Sequence, residues 1–229
     1  MAEMKCIAKI HTDFPRKFGI PRQSGVVQEL KGTIIFEPEY RNPDMLRGLE
    51  GFSYIWLIWS FSESAREGWS PTVRPPRLGG NKRMGVFATR SPFRPNAIGL
   101  SSVLLDKVEL HTEQGSLLHV SGVDLMDGTP IFDIKPYVLY ADSHPDATSG
   151  FVVPLQERKL SVNCPQECLK EVPARAQRAL LSVLAHDPRP SYQNDPERVY
   201  GMEFAGVNVR FRVEKDVLTV CEIQKTTVN

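Results

Sequence analysis

Acidic residues are missing from Gly68 to Leu105. The same stretch holds Arg74, Arg77, Lys82, Arg83, Arg90 and Arg94, a local charge of +6 in a chain whose net charge is +1, which leaves −5 for the rest. A basic window on a balanced protein points to a specific anionic partner rather than to general stickiness. Long apolar runs are also missing. The longest, Ile55 to Phe61, is far shorter than the roughly 20 residues of a membrane-spanning helix. The opening segment, MAEMKCIAKIHTDFPRKF, has no signal-peptide core. Cysteine is scarce: Cys6, Cys164, Cys168 and Cys221. Cys164 and Cys168 have no His pair or second close Cys pair beside them, so reduced thiols in the cytoplasm are expected and a zinc site is not.

Several motifs are lacking as well. There is no G-x-G-x-x-G, Walker loop, G-x-S-x-G, C-x-x-C or H-E-x-x-H. His11, His111, His119, His144 and His186 fall at element ends and are expected to be ordinary surface residues without partners. Covalent and metal catalysis therefore have little support. Catalysis by positioning and electrostatics remains, and it suits group transfer from an activated donor.

What is present is organised around Pro75 to Ser102, PPRLGGNKRMGVFATRSPFRPNAIGLSS. Proline removes a backbone donor and glycine frees the backbone. The segment therefore reads as ordered loops around a short strand, Met84 to Ala88, presenting basic side chains, with Phe87 expected in the core and, as the alternative, stacked with Phe93 against an RNA base. Further strands are expected at Lys5 to His11, Gly32 to Phe36, Phe52 to Phe61, Ile98 to Glu109, Ser116 to Val123 and Ile131 to Tyr140. Asn42 reads as the N-cap of a short helix begun by Pro43. Short strands at close spacing predict a mainly β fold, an antiparallel barrel or sandwich, with no strand-helix alternation of the dinucleotide-binding kind.

Composition shifts after Asp142. The division predicted is a barrel domain over 1–148, a linker over 149–171 and a small α+β domain over 172–229. In the last, the apolar spacing of Val172, Ala176, Ala179, Leu180, Val183 and Leu184 predicts a helix, and a three-strand meander follows. Val207, Val209, Phe211 and Val213 share one strand face. Asn208, Arg210 and Arg212 share the other, either solvated or facing RNA.

Asp124, Asp133 and Lys135 sit in apolar strand sequence, where a charge needs a partner. Asp127 is expected to make an Asx-type turn within DGTP.

The string MGVFATRSPFRPNAIGLS, with PRLGGN before it, DGTPIFDIKPY after it, PRQ at Pro21 and DPRP at Asp187, closely resembles the TrmO family, also called TsaA-like or YaeB-like. The resemblance implies a β-barrel methyltransferase that uses S-adenosylmethionine and works as a homodimer with the cofactor near the dimer interface. The implied acceptor is the exocyclic nitrogen of threonylcarbamoyladenosine at position 37 of threonine tRNA. The implied cofactor contacts are Pro21, Arg22 and Gln23; Ser62 and Glu63; Arg90; Leu100; and Ser121, Gly122, Val123 and Asp124. The family often has His where Ser62 and Tyr54 stand, and Pro where Ala97 stands.

Chemistry assigns roles to these groups. Asp124 or Glu63 suits the cationic part of the cofactor and Arg90 or Arg22 its carboxylate. Arg74, Arg77, Lys82, Arg83 and Arg94 suit RNA phosphates. The acceptor nitrogen must lose a proton to become a good nucleophile. The candidate bases are Asp124, Asp133 and Tyr137, with Lys135 or an arginine stabilising negative charge on the acceptor's carbonyl. Two other readings stand beside this one: a non-enzymatic RNA-binding barrel, and a methyltransferase acting on a different anionic substrate.

Overall fold

The structure, a computed structural model, describes residues 4–62, 68–75, 78, 81–152, 159–190 and 195–226. Six strands close into an antiparallel barrel: β1 (Ala8–Thr12), β2 (Lys31–Phe36), β3 (Tyr54–Ser60), β6 (Ile98–Thr112), β7 (Gly115–Ser121) and β8 (Thr129–Pro136). Their order around the wall is β1-β2-β7-β6-β3-β8. Between β3 and β6 runs a short hairpin, β4 (Thr72–Val73) with β5 (Met84–Gly85).

Period-2 alternation decides which side chains fill the barrel. On β3, Ile55, Leu57 and Trp59 point inward, while Tyr54, Trp56, Ile58 and Ser60 point outward. On β6 the inward positions are Gly99, Ser101 and Val103. Gly99 is opposite Trp59 in register. A Cβ at position 99 would stand 2.2 Å from the indole, so the large ring fits only because this residue has no side chain.

Two strands are shorter than their sequence suggests. The expected strand Met84 to Ala88 keeps two strand residues and then tightens into a 3-10 turn, Val86–Ala88, because its hairpin partner offers only two residues. The expected strand Ile131 to Tyr140 ends at Pro136; a last bond to the β3 side, from the Tyr137 N–H to the Tyr54 carbonyl at 2.9 Å, comes just beyond, where the chain turns away. A short helix follows, α1 (Leu139–Asp142). Asp142 fastens it, accepting from the Val138 N–H at 2.8 Å and the Trp56 indole at 3.1 Å.

The C-terminal region contains β9 (Ser161–Asn163), α2 (Gln166–Lys170), α3 (Ala174–Ala185), β10 (Tyr200–Phe204), β11 (Val207–Glu214) and β12 (Val217–Lys225), with sheet order β10-β11-β12-β9. The stretch expected as a linker therefore carries a strand and a helix; β9 forms because β12 supplies it with a parallel partner. The apolar face of α3 and the Val207-Val209-Phe211-Val213 face are buried, and they share one continuous core with the barrel. Phe14, after β1, meets Phe204 edge-on at 5.0 Å between ring centres. Arg175 of α3 grips Asp13 through two 2.8 Å bonds. On the outer face of the small sheet Arg210 pairs with Glu222, and Glu203 with Arg16. Mixed charge of this kind makes a solvated surface rather than a basic RNA-facing one. Among the described residues, no helix is long and apolar enough to cross a membrane.

Candidate functional site

The loop carrying Pro21 to Gly25 is stitched across one mouth of the barrel. The Gly25 N–H donates to the Gly122 carbonyl at 2.8 Å, and the Gly122 N–H to the Leu30 carbonyl at 2.8 Å. Gly122 has φ +71°, and a Cβ there would sit 3.3 Å from the backbone of Gly25, so this crossing favours glycine on both counts.

The turn after Gly122 swings Asp124 to the inner side of the wall. Ser101 Oγ donates to Asp124 Oδ1 at 2.7 Å, and Trp59 Nε1 donates to Ser101 Oγ at 3.0 Å. Burial pushes the Asp124 carboxyl up to about 6, against the opposing pull of Ser101, its own and the Ser24 backbone, and the charge of Arg90. Among the described residues, no cation lies within ion-pair distance of it.

Arg90 links this mouth to the central segment by donating to Gln23 Oε1. Arg22, Gln23 and Arg90 line one side of an open cleft of about 1400 Å³ whose other walls include Trp69, Arg74, Arg83, Phe87 and Phe93. Among the described lining residues there is no carboxylate. Phe87, expected in the core, is 77% exposed instead; the 3-10 turn buries its neighbour Val86 and turns the phenyl ring outward.

The predicted RNA contacts separate. Arg74 and Arg83 line the cleft. Lys82 is exposed but outside it. Arg94 is half-buried and donates to the Thr89 carbonyl at 3.1 Å, which gives it a structural task. Arg77 and Glu63 lie outside the described residues, and Ser62 is exposed beside the latter.

The remaining cofactor candidates occupy both sides of the wall. Val123 is fully buried, and the Ser121 hydroxyl bridges Lys31 and Asp106, so neither side chain faces the cleft. Leu100, next to Ser101, points outward and is 53% exposed. Leu100 pairs with Ile58, and Ile58 with Asp133. Two strand spacings put Leu100 about 10 Å from Asp133 on that outer face. Asp133, Lys135 and Tyr137 share the alternation of β8. Asp133 pairs with Lys135 at 2.9 Å, and Tyr137 packs against Tyr54 and Trp56. Strand β8 thus satisfies the charges at 133 and 135 with each other.

Some predicted partners differ. Asp127 does not close a turn on itself; it accepts from the Thr12 N–H at 3.0 Å and meets His11 at 3.1 Å, fastening the end of β1. His119 is bonded to Glu109 at 2.8 Å. Sequence reading missed Ser101, Trp59 and Trp69. The available signal for Ser101 was a hydroxyl at an inward position of an apolar strand; nothing local distinguishes Trp69.

A cationic ligand suits this mouth. A partly buried carboxyl held up to about 6 regains its charged form when a cation comes beside it. The Gln23–Arg90 pair beside it offers a guanidinium for a carboxylate. The sulfonium, ammonium and carboxylate of S-adenosylmethionine meet these requirements together.

The chain is similar to known proteins over most of its length. Residues 9–143 match the tRNA-methyltransferase O N-terminal domain, and residues 157–226 match the TrmO C-terminal domain. The chain is 41% identical over 215 residues to the Escherichia coli (strain K12) protein named tRNA (adenine(37)-N6)-methyltransferase, covering 90% of this chain and 91% of that one. It is 37% identical over 226 residues, 95% of each chain, to a Pseudomonas aeruginosa protein named, provisionally, as an S-adenosylmethionine-dependent methyltransferase. The crystal structure of TrmO from Pseudomonas aeruginosa superposes with a TM-score of 0.78 at 31% identity, covering 98% of this chain and 99% of that one. With both domain models matched in order across nearly the whole chain, this protein belongs to the tRNA-methyltransferase O family.

Proposed function

We propose that the chain is an S-adenosylmethionine-dependent tRNA methyltransferase acting on the exocyclic nitrogen of adenosine 37, and that this adenosine carries a threonylcarbamoyl group in threonine tRNA. One observation carries the reading. The Pro21-to-Gly25 loop, Arg90 and the Ser121-to-Asp124 segment converge at one barrel mouth, beside a cleft with four arginines and no carboxylate among its described lining residues.

When bound, the cofactor supplies a methyl group on a positively charged sulfur. Asp124, oriented by Ser101, faces the cationic part, and Arg90, held by Gln23, faces the carboxylate. Arg74 and Arg83 hold RNA phosphate across the cleft. The acceptor nitrogen lies between adenine and a carbonyl, so its lone pair is delocalised until its proton leaves. Either Asp133 on the outer face of β8 or Tyr137 just beyond its end takes that proton, and Lys135 steadies the negative charge on the carbonyl. Asp124 is a third candidate base, since a carboxyl titrating near working pH suits proton transfer.

The same outer face supports a homodimer. Tyr54, Leu100, Leu139 and Tyr140 are all exposed there or at its edge, and exposed apolar side chains of this size suit an interface. Cytoplasmic location follows from the substrate.

The decisive measurement is mass analysis of nucleosides after the purified chain is mixed with S-adenosylmethionine and threonine tRNA bearing threonylcarbamoyladenosine. A new nucleoside heavier by one methylene supports the reading. No mass change, with calorimetry showing no cofactor binding, would instead leave a non-enzymatic RNA-binding barrel.

A further inference from the structure

The cleft holds large apolar rings as well as charge. Trp69 is 58% exposed and Phe87 is 77% exposed, and both line it. Exposing rings of this size to water forgoes burial that would otherwise stabilise the fold.

The backbone beneath each ring is tied down. Val86 is buried, and its N–H donates to the Pro71 carbonyl at 3.0 Å, so the adjacent Phe87 is held outward. Ser70, next to Trp69, donates from its N–H to the Phe93 carbonyl at 3.3 Å and from its hydroxyl to the Thr72 carbonyl at 2.7 Å. The rings are thus presented on fastened loops, in a cleft that Arg22, Arg74, Arg83 and Arg90 also line.

We propose that this cleft seats a run of unpaired RNA nucleotides, with bases stacked on Trp69 and Phe87 and phosphates held by the surrounding arginines. The inference rests on the reading of the chain as a tRNA methyltransferase and adds the kind of RNA segment it grips. A double helix keeps its bases stacked on each other and offers a groove only its phosphates, which arginines alone would satisfy. Exposed aromatic faces interleaved with cations match a single strand, because every base has a π-face. An acidic peptide would meet the charge but leave the rings without partners.

The test uses the full-length protein and two RNAs, a 17-nucleotide stem-loop with a seven-base loop and a blunt duplex of equal charge, both 5′-labelled for anisotropy. Loss of one stacking partner weakens stem-loop binding by about 5- to 150-fold. W69A and F87A should each show such a loss, with the salt dependence unchanged and duplex binding unaltered. W69F should retain most of the affinity, since it keeps a ring. Stem-loop affinities within twofold of wild type in both alanine variants overturn the proposal, as does an equal loss on the duplex. These outcomes leave the methyltransferase reading standing if tRNA is still methylated. A wild-type chain that binds neither RNA overturns the proposal, and the methyltransferase reading falls with it only if whole tRNA is not methylated either.

Discussion

Ser101 and Asp124 meet across the barrel mouth at 2.7 Å, and the buried indole of Trp59 backs the serine. The hydroxyl favours the charged carboxylate while burial disfavours it, and burial wins. Cation binding needs the charged form. Cofactor affinity should therefore fall as pH drops through about 6. Ser101→Ala removes a group that lowers the carboxyl's pKa, so the midpoint should move to higher pH. Asp124→Asn should abolish the pH dependence and hold binding near the weak level that wild type reaches at acid pH. Calorimetry between pH 5 and 8 checks this; a midpoint unmoved by Ser101→Ala refutes the orienting role of the serine.

Stability carries the opposite sign. The folded carboxyl titrates near 6 against an ordinary 3.8, so between those values the folded state binds more protons than the unfolded. Stability from this group is complete below the lower value and lost as pH rises through the upper one. The gap is worth at most about 3 kcal/mol. In the ligand-free protein, Asp124→Asn should raise the melting temperature at pH 8 and have little effect at pH 4. A variant less stable than wild type at pH 8 would contradict this.

Gly99→Ala tests the packing under the site. Its methyl would stand 2.2 Å from the Trp59 ring, so the indole must shift and its bond to Ser101 must lengthen. Overpacking costs about 1–3 kcal/mol, or several degrees of melting temperature in a chain of this size. Cofactor affinity should fall as well. A melting curve superimposable on wild type would show that the core accepts the methyl.

Arg83 and Arg94 should behave differently although both belong to the basic segment. Arg83 lines the cleft, so Arg83→Ala should weaken tRNA binding and flatten the log-affinity against log-salt slope by about one unit. Arg94 supports the Thr89 carbonyl, so Arg94→Ala should lower stability more than it changes that slope. Filter binding across a salt series, with thermal melts alongside, separates the two effects.

Proton removal is tested by single-turnover methylation at saturating cofactor. Asp133→Asn or Tyr137→Phe should slow the step by about 10²- to 10⁴-fold if that residue is the base. Losses below about tenfold in both, with cofactor binding intact, would pass the role to Asp124.

The barrel was legible in sequence because strand alternation is a local property. The Val207-to-Val213 face declares itself by alternation whatever lies opposite, whereas the apolar run around β3 reads as a strand and only the fold turns Ile55, Leu57 and Trp59 inward. Asn42 likewise capped its turn as expected, accepting from the Asp44 N–H at 3.0 Å. The basic segment was legible as charge, and its motif placed the chain beside a family. Strand lengths were less legible, since β5 is as long as its partner allows and β8 stops where the chain turns toward α1.

Composition and motif, read along the chain, determined the mainly β class, the basic window and the residues to watch. Only the tertiary structure decided what those residues face. Barrel closure brought Ser101 and Trp59 to Asp124 and put Leu100 and Asp133 on the outer side of the same wall. The physical reason is that side-chain periodicity is set between neighbours in sequence, whereas desolvation and hydrogen-bond partners are set by strands far apart in the chain.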